Sequence, residues 1–264
     1  MDWSLVLASQ GIEVVIDKGE SGWVLIVDDA DLERARAAIQ QYQIENRAWR
    51  WQQEIPGTDF HFHWGAAVWA FGMAAFYYWS MVRFPGLKSA GMVNSPAVFA
   101  GQWWRLFTAV TLHENLGHLA SNMVTGFLLL GLAMGRFGSG VAVLAAFLAG
   151  VAGNWAAVLL DSSGHYSLGA SGMVTGALGL VTMQSFHRML PRGFAAGALI
   201  LVLIGFAPET DVIAHVGGFV AGVVFGIGLN WFRPAALQRV APNLICGLLL
   251  AVLVLATWRL AAQP

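Results

Sequence analysis

The stretch Leu168–Gly176, LGASGMVTG, sets a serine between Gly169-Ala170 and Gly172 where a long apolar run begins. Serine is a weak nucleophile until an adjacent base takes its proton, and a neutral imidazole can do so. Two other segments carry the groups such chemistry needs. HENLGHLASN contains His113, His118 and Asn122, and AHVGGFVAG contains His215. His118 and Asn122 are four residues apart and share a helix face. His215, Gly218, Gly222 and Gly226 are spaced by three, four and four, a stripe of small residues headed by the histidine. Gly172, Gly176 and Gly179 form a similar stripe below Ser171. Small residues let membrane helices approach closely. Two such stripes facing each other bring Ser171 and His215 within hydrogen-bonding reach. Attack on an amide produces an oxyanion, which needs preorganised donors. The first N–H groups of a helix have no intrahelical partner. Those of a helix opening at Ser171, with the Asn122 amide and the His118 ring, can supply the donors. Asp161, Glu209 and Asp211 read as loop residues, so the constellation is a serine–histidine dyad without a third acid.

The elements that must hold these groups are membrane helices. The 264-residue chain is 57% hydrophobic and 11% charged, with a mean hydropathy of +0.63. A soluble domain normally carries about 25% charged residues, and several stretches here are long enough to cross a hydrocarbon core of ~30 Å as helices. The fold class expected is all-α and polytopic, with seven spans at 64–82, 114–134, 139–160, 170–189, 193–207, 213–232 and 242–260. Trp64, Trp79, Trp231 and Trp258 fall near span ends, where an amphipathic ring suits the interface. With the N-terminus inside, cytosolic flanks hold Arg47, Arg50, Arg136, Arg188, Arg192, Arg233 and Arg239. The outer flanks hold Arg83, Lys88, Arg105 and Arg259, so seven positive charges against four favour an N-in, C-out arrangement. Spans two, four and six then all run from outside to inside. Each opens with its unusual polar residues, at a similar depth. PAVFAGQWWRLFTAVTL, within residues 84–112, is too apolar for a wet loop and reads as an interfacial or partly inserted segment.

Residues 1–46 read as a small cytosolic α+β module, with a short helix at Asp2–Gln10 ended by Gly11. Two strands, IEVVID and GWVLIVDD, are joined by a turn at Lys18–Gly22, and a helix follows over Asp31–Glu45. The module carries no catalytic constellation and reads as an accessory domain that binds a cytosolic partner. Residues 47–63 form a linker rich in Arg, Trp and Gln. A net charge of -1 points away from nucleic acid. The single cysteine, Cys246, rules out an intrachain disulfide. The first 60 residues are mixed and charged, so no signal peptide is expected.

The ordered motifs resemble those of the rhomboid family of intramembrane serine proteases. The matching pieces are Trp104-Arg105, the H-x4-H-x3-N pattern of His113, His118 and Asn122, G-x-S-G at Gly169–Gly172, and A-H-x2-G-x3-G at Ala214–Gly222. The resemblance covers about residues 64–232 and implies a six-helix catalytic core there, with 233–264 adding a C-terminal helix. It implies that Ser171 is the nucleophile and His215 the general base. His118 and Asn122 become oxyanion-hole residues and His113 a mainly structural neighbour, with Gly169, Gly172, Gly218 and Gly222 in support. The implied site is a water-filled cavity open to the outside, with no cofactor or metal. The implied substrates are single-pass transmembrane proteins in a lipid bilayer, and a bacterial inner membrane is the expected location. Two departures stand out. Many members carry an aromatic residue four after the serine, packing on the histidine, where this chain has Thr175. The acidic partner often found near the arginine after span two is missing around Arg136.

Other readings fit less well. HENLGH begins like the zinc motif H-E-x-x-H, which needs histidines four apart on one face. Here they are five apart, about 140° round a helix. A non-catalytic relative that binds membrane clients would be expected to lack the serine or the histidine. A transporter would be expected to place paired polar residues near the midplane, within repeats. His165, in the loop before span four, reads as a solvated or interfacial residue.

Overall fold

A computed structural model of the chain describes residues 2–19, 22–46, 61–84, 86–161, 164–183, 186–205 and 210–263. The chain divides into two units, Met1–Thr58 and Asp59–Pro264. In the first, α1 (Asp2–Ser9) is followed by β1 (Val15–Gly19), β2 (Gly22–Ile26) and α2 (Leu32–Glu45). The strands pair antiparallel, with Val15 opposite Ile26. Leu7, Ile12 and Ala35 make a small core against Val14, Leu25, Ala38 and Ile39. The first strand starts at Val15 rather than Ile12 because Ile12 is drawn into that core. Turn residues Glu20 and Ser21 and most of the linker, 47–60, lie outside the described residues, as do Arg47 and Arg50 of the charge argument and the loop acid Glu209.

The second unit runs α3 (Gly65–Arg83), α4 (Leu87–Gly91), β3 (Val93–Asn94), α5 (Ser95–Phe99), α6 (Arg105–Thr108), α7 (Leu116–Phe137) and α8 (Ser139–Leu160). It continues with β4 (Tyr166–Ser167), α9 (Ser171–Thr182), α10 (Phe186–Gly205), α11 (Val212–Leu229), α12 (Pro234–Leu237) and α13 (Val240–Ala261). Helices α7, α8, α11 and α13 are each long and apolar enough to cross a bilayer. The protein is an integral membrane protein built from helices.

Helices α8, α9 and α11 form the centre, and glycines let them touch backbone to backbone. A Cβ placed on Gly218 would lie 2.3 Å from the Gly172 carbonyl oxygen, and one on Gly222 would lie 2.1 Å from that of Gly176. A Cβ on Gly153 of α8 would lie 2.3 Å from the Ala214 carbonyl of α11. Real side chains do not fit at such distances, so each glycine is a packing requirement. Helix α3 docks on α7 in a related way, with the Trp69 ring over Gly126. Residues 61–63, at the end of the expected linker, also belong to this unit. The Phe62 ring covers Gly131, and the His63 N–H donates to the Gly131 carbonyl at 2.9 Å.

The fourth and fifth expected spans are redistributed. Helix α9 has 12 residues rather than the expected run to 189. At ~1.5 Å per residue it extends only about 18 Å, well short of the ~30 Å core. It is buried from Gly172 through Leu180 and packs against α7, α8, α10 and α11. Its end is fixed from α11, where Asn230 at the C-cap donates to the Met183 carbonyl at 2.7 Å. Helix α10 starts at Phe186, earlier than the expected 193, so Pro191 lies inside the helix instead of preceding it.

The segment between α3 and α7 folds into short helices around Val93, Val98, Leu106 and Ala109, which pack on Val158 of α8. Arg105 holds it together: its guanidinium donates to the carbonyls of Ser89 at 2.8 Å and Met92 at 2.9 Å, and to Gln102 at 2.7 Å. Asn154 of α8 donates to the Leu106 carbonyl at 2.7 Å. Trp258, near the end of α13, donates to Thr111 at 3.1 Å and lies over Gly91.

Candidate functional site

A cavity of about 670 Å³ opens above α9 and α11 and is lined by Ser171, His215, His118 and Asn122. Ser171 is the first residue of α9 and is half-buried. Among the helix starts that border the cavity, those of α7 and α11 have side-chain caps from Asn115 and Asp211, whereas α9 has none. The leading N–H groups of α9 therefore face the cavity end of the helix without a side-chain acceptor. Such a terminus attracts negative charge.

The approach to Ser171 depends on Gly169, whose φ is +136°, a backbone region that L side chains rarely adopt. A Cβ there would also meet the His118 ring at 2.7 Å and lie 3.7 Å from the Asn122 amide nitrogen. The loop before the serine thus presses on the α7 face that carries His118 and Asn122. Asn122 is 6% exposed, and its amide nitrogen has no hydrogen-bond partner among the described residues. A buried, unsatisfied donor is costly, and this one borders the cavity beside Ser171. It is free to donate to a bound oxygen.

His215 is buried in the first turn of α11. Gly218, one turn further on, meets Gly172 and so brings the His215 end of α11 against the Ser171 end of α9. Thr175 lies at the same crossing, 2% exposed, with its hydroxyl donating to the Gly172 carbonyl at 3.1 Å. A Cβ on Gly218 would be 2.9 Å from the Thr175 oxygen. The small threonine therefore sits within the α9–α11 crossing, against Gly172 and Gly218.

His113 precedes α7 and is buried, its ring 5.4 Å from that of His118 at 70°. Desolvation, and next the charge of His118, lowers its pKa to about 4. It packs on His118 as a neutral ring. Glu114 forms an ion pair with Lys88 at 2.5 Å. Arg136, without an acidic partner among the described residues, donates to Asn230 at 3.2 Å.

The rim holds an arrangement the sequence reading missed. His165 is not a solvated loop residue. Its Nε2 lies 2.7 Å from Asp211 Oδ2 and its Nδ1 3.3 Å from Asp161 Oδ2, with 12% of the side chain exposed. Asp211 is equally not a plain loop acid, since its other oxygen caps α11 by accepting the Ala214 N–H at 3.0 Å. The available signal was the spacing D-x-x-A, with an acid just before an apolar run, which marks an N-cap.

A bundle of apolar helices enclosing a serine, two histidines and an asparagine around a polar cavity defines a polytopic membrane protein with a candidate site inside it. The sequence model of the Rhomboid domain matches residues 100–232, half of the chain, and the chain belongs to the rhomboid family. RHOMBOID-like protein 5 of Arabidopsis thaliana is 32% identical over 155 residues, covering 55% of this chain and 50% of that protein. Rhomboid protease GluP of Bacillus subtilis is 31% identical over 161 residues, covering 58% of this chain and 31% of that protein. RHOMBOID-like protein 1 of Arabidopsis thaliana is 30% identical over 148 residues, covering 53% and 38%. The chain spans half or less of the length of these relatives.

Proposed function

We propose that the protein is an intramembrane serine endopeptidase that cuts single-pass transmembrane proteins within or near their membrane segment. The observation that carries the reading is the meeting of Ser171 and His215 on one cavity, above a glycine-mediated crossing of their helices. His215 takes the proton from Ser171 as its Oγ attacks the carbonyl carbon. The C–O bond forms as the carbonyl π pair moves to oxygen. The oxyanion is received by the uncapped start of α9 and by Asn122, with His118 beside it. Collapse breaks the C–N bond, and the leaving nitrogen takes the proton from His215. A water, activated by the same histidine, then hydrolyses the acyl ester and frees Ser171.

Similarity to a protein named as a rhomboid protease supports this activity. Helix α9 is short and enclosed by longer helices, which supports a reaction below the bilayer surface. The substrate must then offer an extended backbone, because a helical carbonyl is already hydrogen-bonded. Positive flanking charge supports an N-in orientation with the cavity toward the outside, and a bacterial inner membrane is the proposed location. His113 is proposed as a packing support for His118, and the first unit as a binding module for a cytosolic partner.

The test is covalent labelling by a fluorophosphonate, together with cleavage of a reporter transmembrane substrate by the purified full chain. Labelling lost on Ser171→Ala, with cleavage lost in parallel, is the expected result. A folded wild-type chain that neither labels nor cuts would replace this reading with a non-catalytic client-binding one.

A further inference from the structure

The rim arrangement joins three parts of the fold at one imidazole. The main chain of His165 is held by Ser95, whose N–H donates to the His165 carbonyl at 3.0 Å and whose hydroxyl accepts the His165 N–H at 3.2 Å. Next to it, β3 and β4 pair, with Asn94 opposite Tyr166. The ring reaches Asp161, the C-cap of α8, on one side and Asp211, the N-cap of α11, on the other. The Asp211 carbonyl accepts the His215 backbone N–H at 3.0 Å, so His215 hangs directly from the capping residue. His165 is also six residues ahead of Ser171 on the same loop.

We propose that His165 and Asp211 are positioning residues for the dyad: a charged clasp that fixes the start of the His215 helix to the loop leading to Ser171. The inference rests on the serine-protease reading above. Charge placement at the two helix ends calls for a cation between them. The Asp211 carboxylate at the start of α11 complements the helix dipole, whereas the Asp161 carboxylate at the end of α8 opposes it and is offset by a cationic His165. Without a protonated His165, Asp161 and Asp211 would approach one place as two carboxylates. The other titratable groups bordering the cavity are Glu114, His118, Tyr166 and His215, and Glu114 is paired with Lys88.

The clasp has a pH window. The hydrogen bond to Asp211 leads in raising the His165 pKa, against partial burial, with further help from Asp161. Burial works to raise the Asp211 pKa, but the hydrogen bonds from His165 and the Ala214 N–H outweigh it and hold it below its ordinary value. A raised histidine contributes while protonated and is lost as pH climbs through its folded pKa. A lowered carboxylate contributes while ionised and is lost as pH falls through its own. The clasp therefore holds between the two and fails on the alkaline side when His165 deprotonates.

Three variants of the full chain separate the roles. Asp211→Asn keeps a good capping oxygen but removes the charge facing His165. His165→Gln removes the cation, and His165→Arg keeps it at high pH. In detergent, with a fluorogenic transmembrane reporter, wild-type kcat should fall on going to alkaline pH while KM changes little. His165→Arg should carry activity further into the alkaline range. Asp211→Asn and His165→Gln should lower kcat near neutral pH by roughly ten- to a hundredfold, the scale of a small misplacement of catalytic groups, and should lose the alkaline fall. Fluorophosphonate labelling of all three, slower in Asp211→Asn and His165→Gln but still on Ser171, would show that the chain is folded and the serine still reactive. Wild-type kcat in His165→Gln and Asp211→Asn across the range, or an unchanged alkaline fall in His165→Arg, would overturn the clasp while leaving the protease reading in place. A wild-type chain that does not label would remove the protease reading, and the clasp with it.

Discussion

At the residue scale, the cavity asks for two separate tests. Ser171→Ala should abolish cleavage of a transmembrane reporter while leaving thermal unfolding unchanged, because Ser171 is only half-buried and the packing of α9 runs through Gly172–Leu180. Undiminished turnover by the purified variant would rule out the dyad. Asn122→Ala should leave residual turnover, since the start of α9 still offers donors. Losing one oxyanion donor costs on the order of 10²–10³ in rate, and a time course equal to wild type would return Asn122 to a packing role. These residues were legible because a serine, histidines and an asparagine at helical spacings are conspicuous in apolar surroundings. His165 and Asp211 were not legible in the same way. Each is an ordinary loop residue in one dimension, and their 2.7 Å contact spans 46 positions of chain. No local pattern reports that kind of distance.

At the element scale, the glycine stripes were the strongest signal in the sequence, and the structure explains why. Gly218 and Gly222 face the Gly172 and Gly176 carbonyls across the α9–α11 crossing, where backbone meets backbone. Gly218→Ala should push the helices apart, lower cleavage sharply and destabilise the fold by about 1–3 kcal/mol, the range for overpacking. Gly228 on the same helix has open space around it. Gly228→Ala should be neutral, or stabilising by up to about 1 kcal/mol through helix propensity. Equal effects of the two substitutions on melting temperature would refute the crossing. Span boundaries were less legible around α9 and α10. Hydropathy continues smoothly from Ser171 toward Phe186, and what ends α9 is an amide from Asn230, 47 positions away. The short helices between α3 and α7 were hidden for a similar reason: Arg105 organises them by donating to carbonyls, which carry no side-chain signature.

At the scale of the whole molecule, the division at Thr58 and Asp59 separates two units, each with its own core among the described residues. The first is the small cluster of Leu7, Ile12 and Ala35. The second is the helical packing around Leu130, Met134, Phe137 and Met173. Every group proposed for the chemistry, from His113 to His215, lies in the second unit, and so do the contacts that place them. On the proposed reading the first unit supplies no catalytic group, and its part is stability, regulation or partner binding. A chain starting at Trp51 keeps the whole second unit, including Phe62 and His63 on α7. In detergent it should label with fluorophosphonate and cut the reporter within a few-fold of the full-length rate, because removing a separate core leaves the α9–α11 crossing untouched. A truncated chain that is monodisperse and retains helical circular dichroism, yet neither labels nor cuts, would mean that the first unit holds the site in its active arrangement.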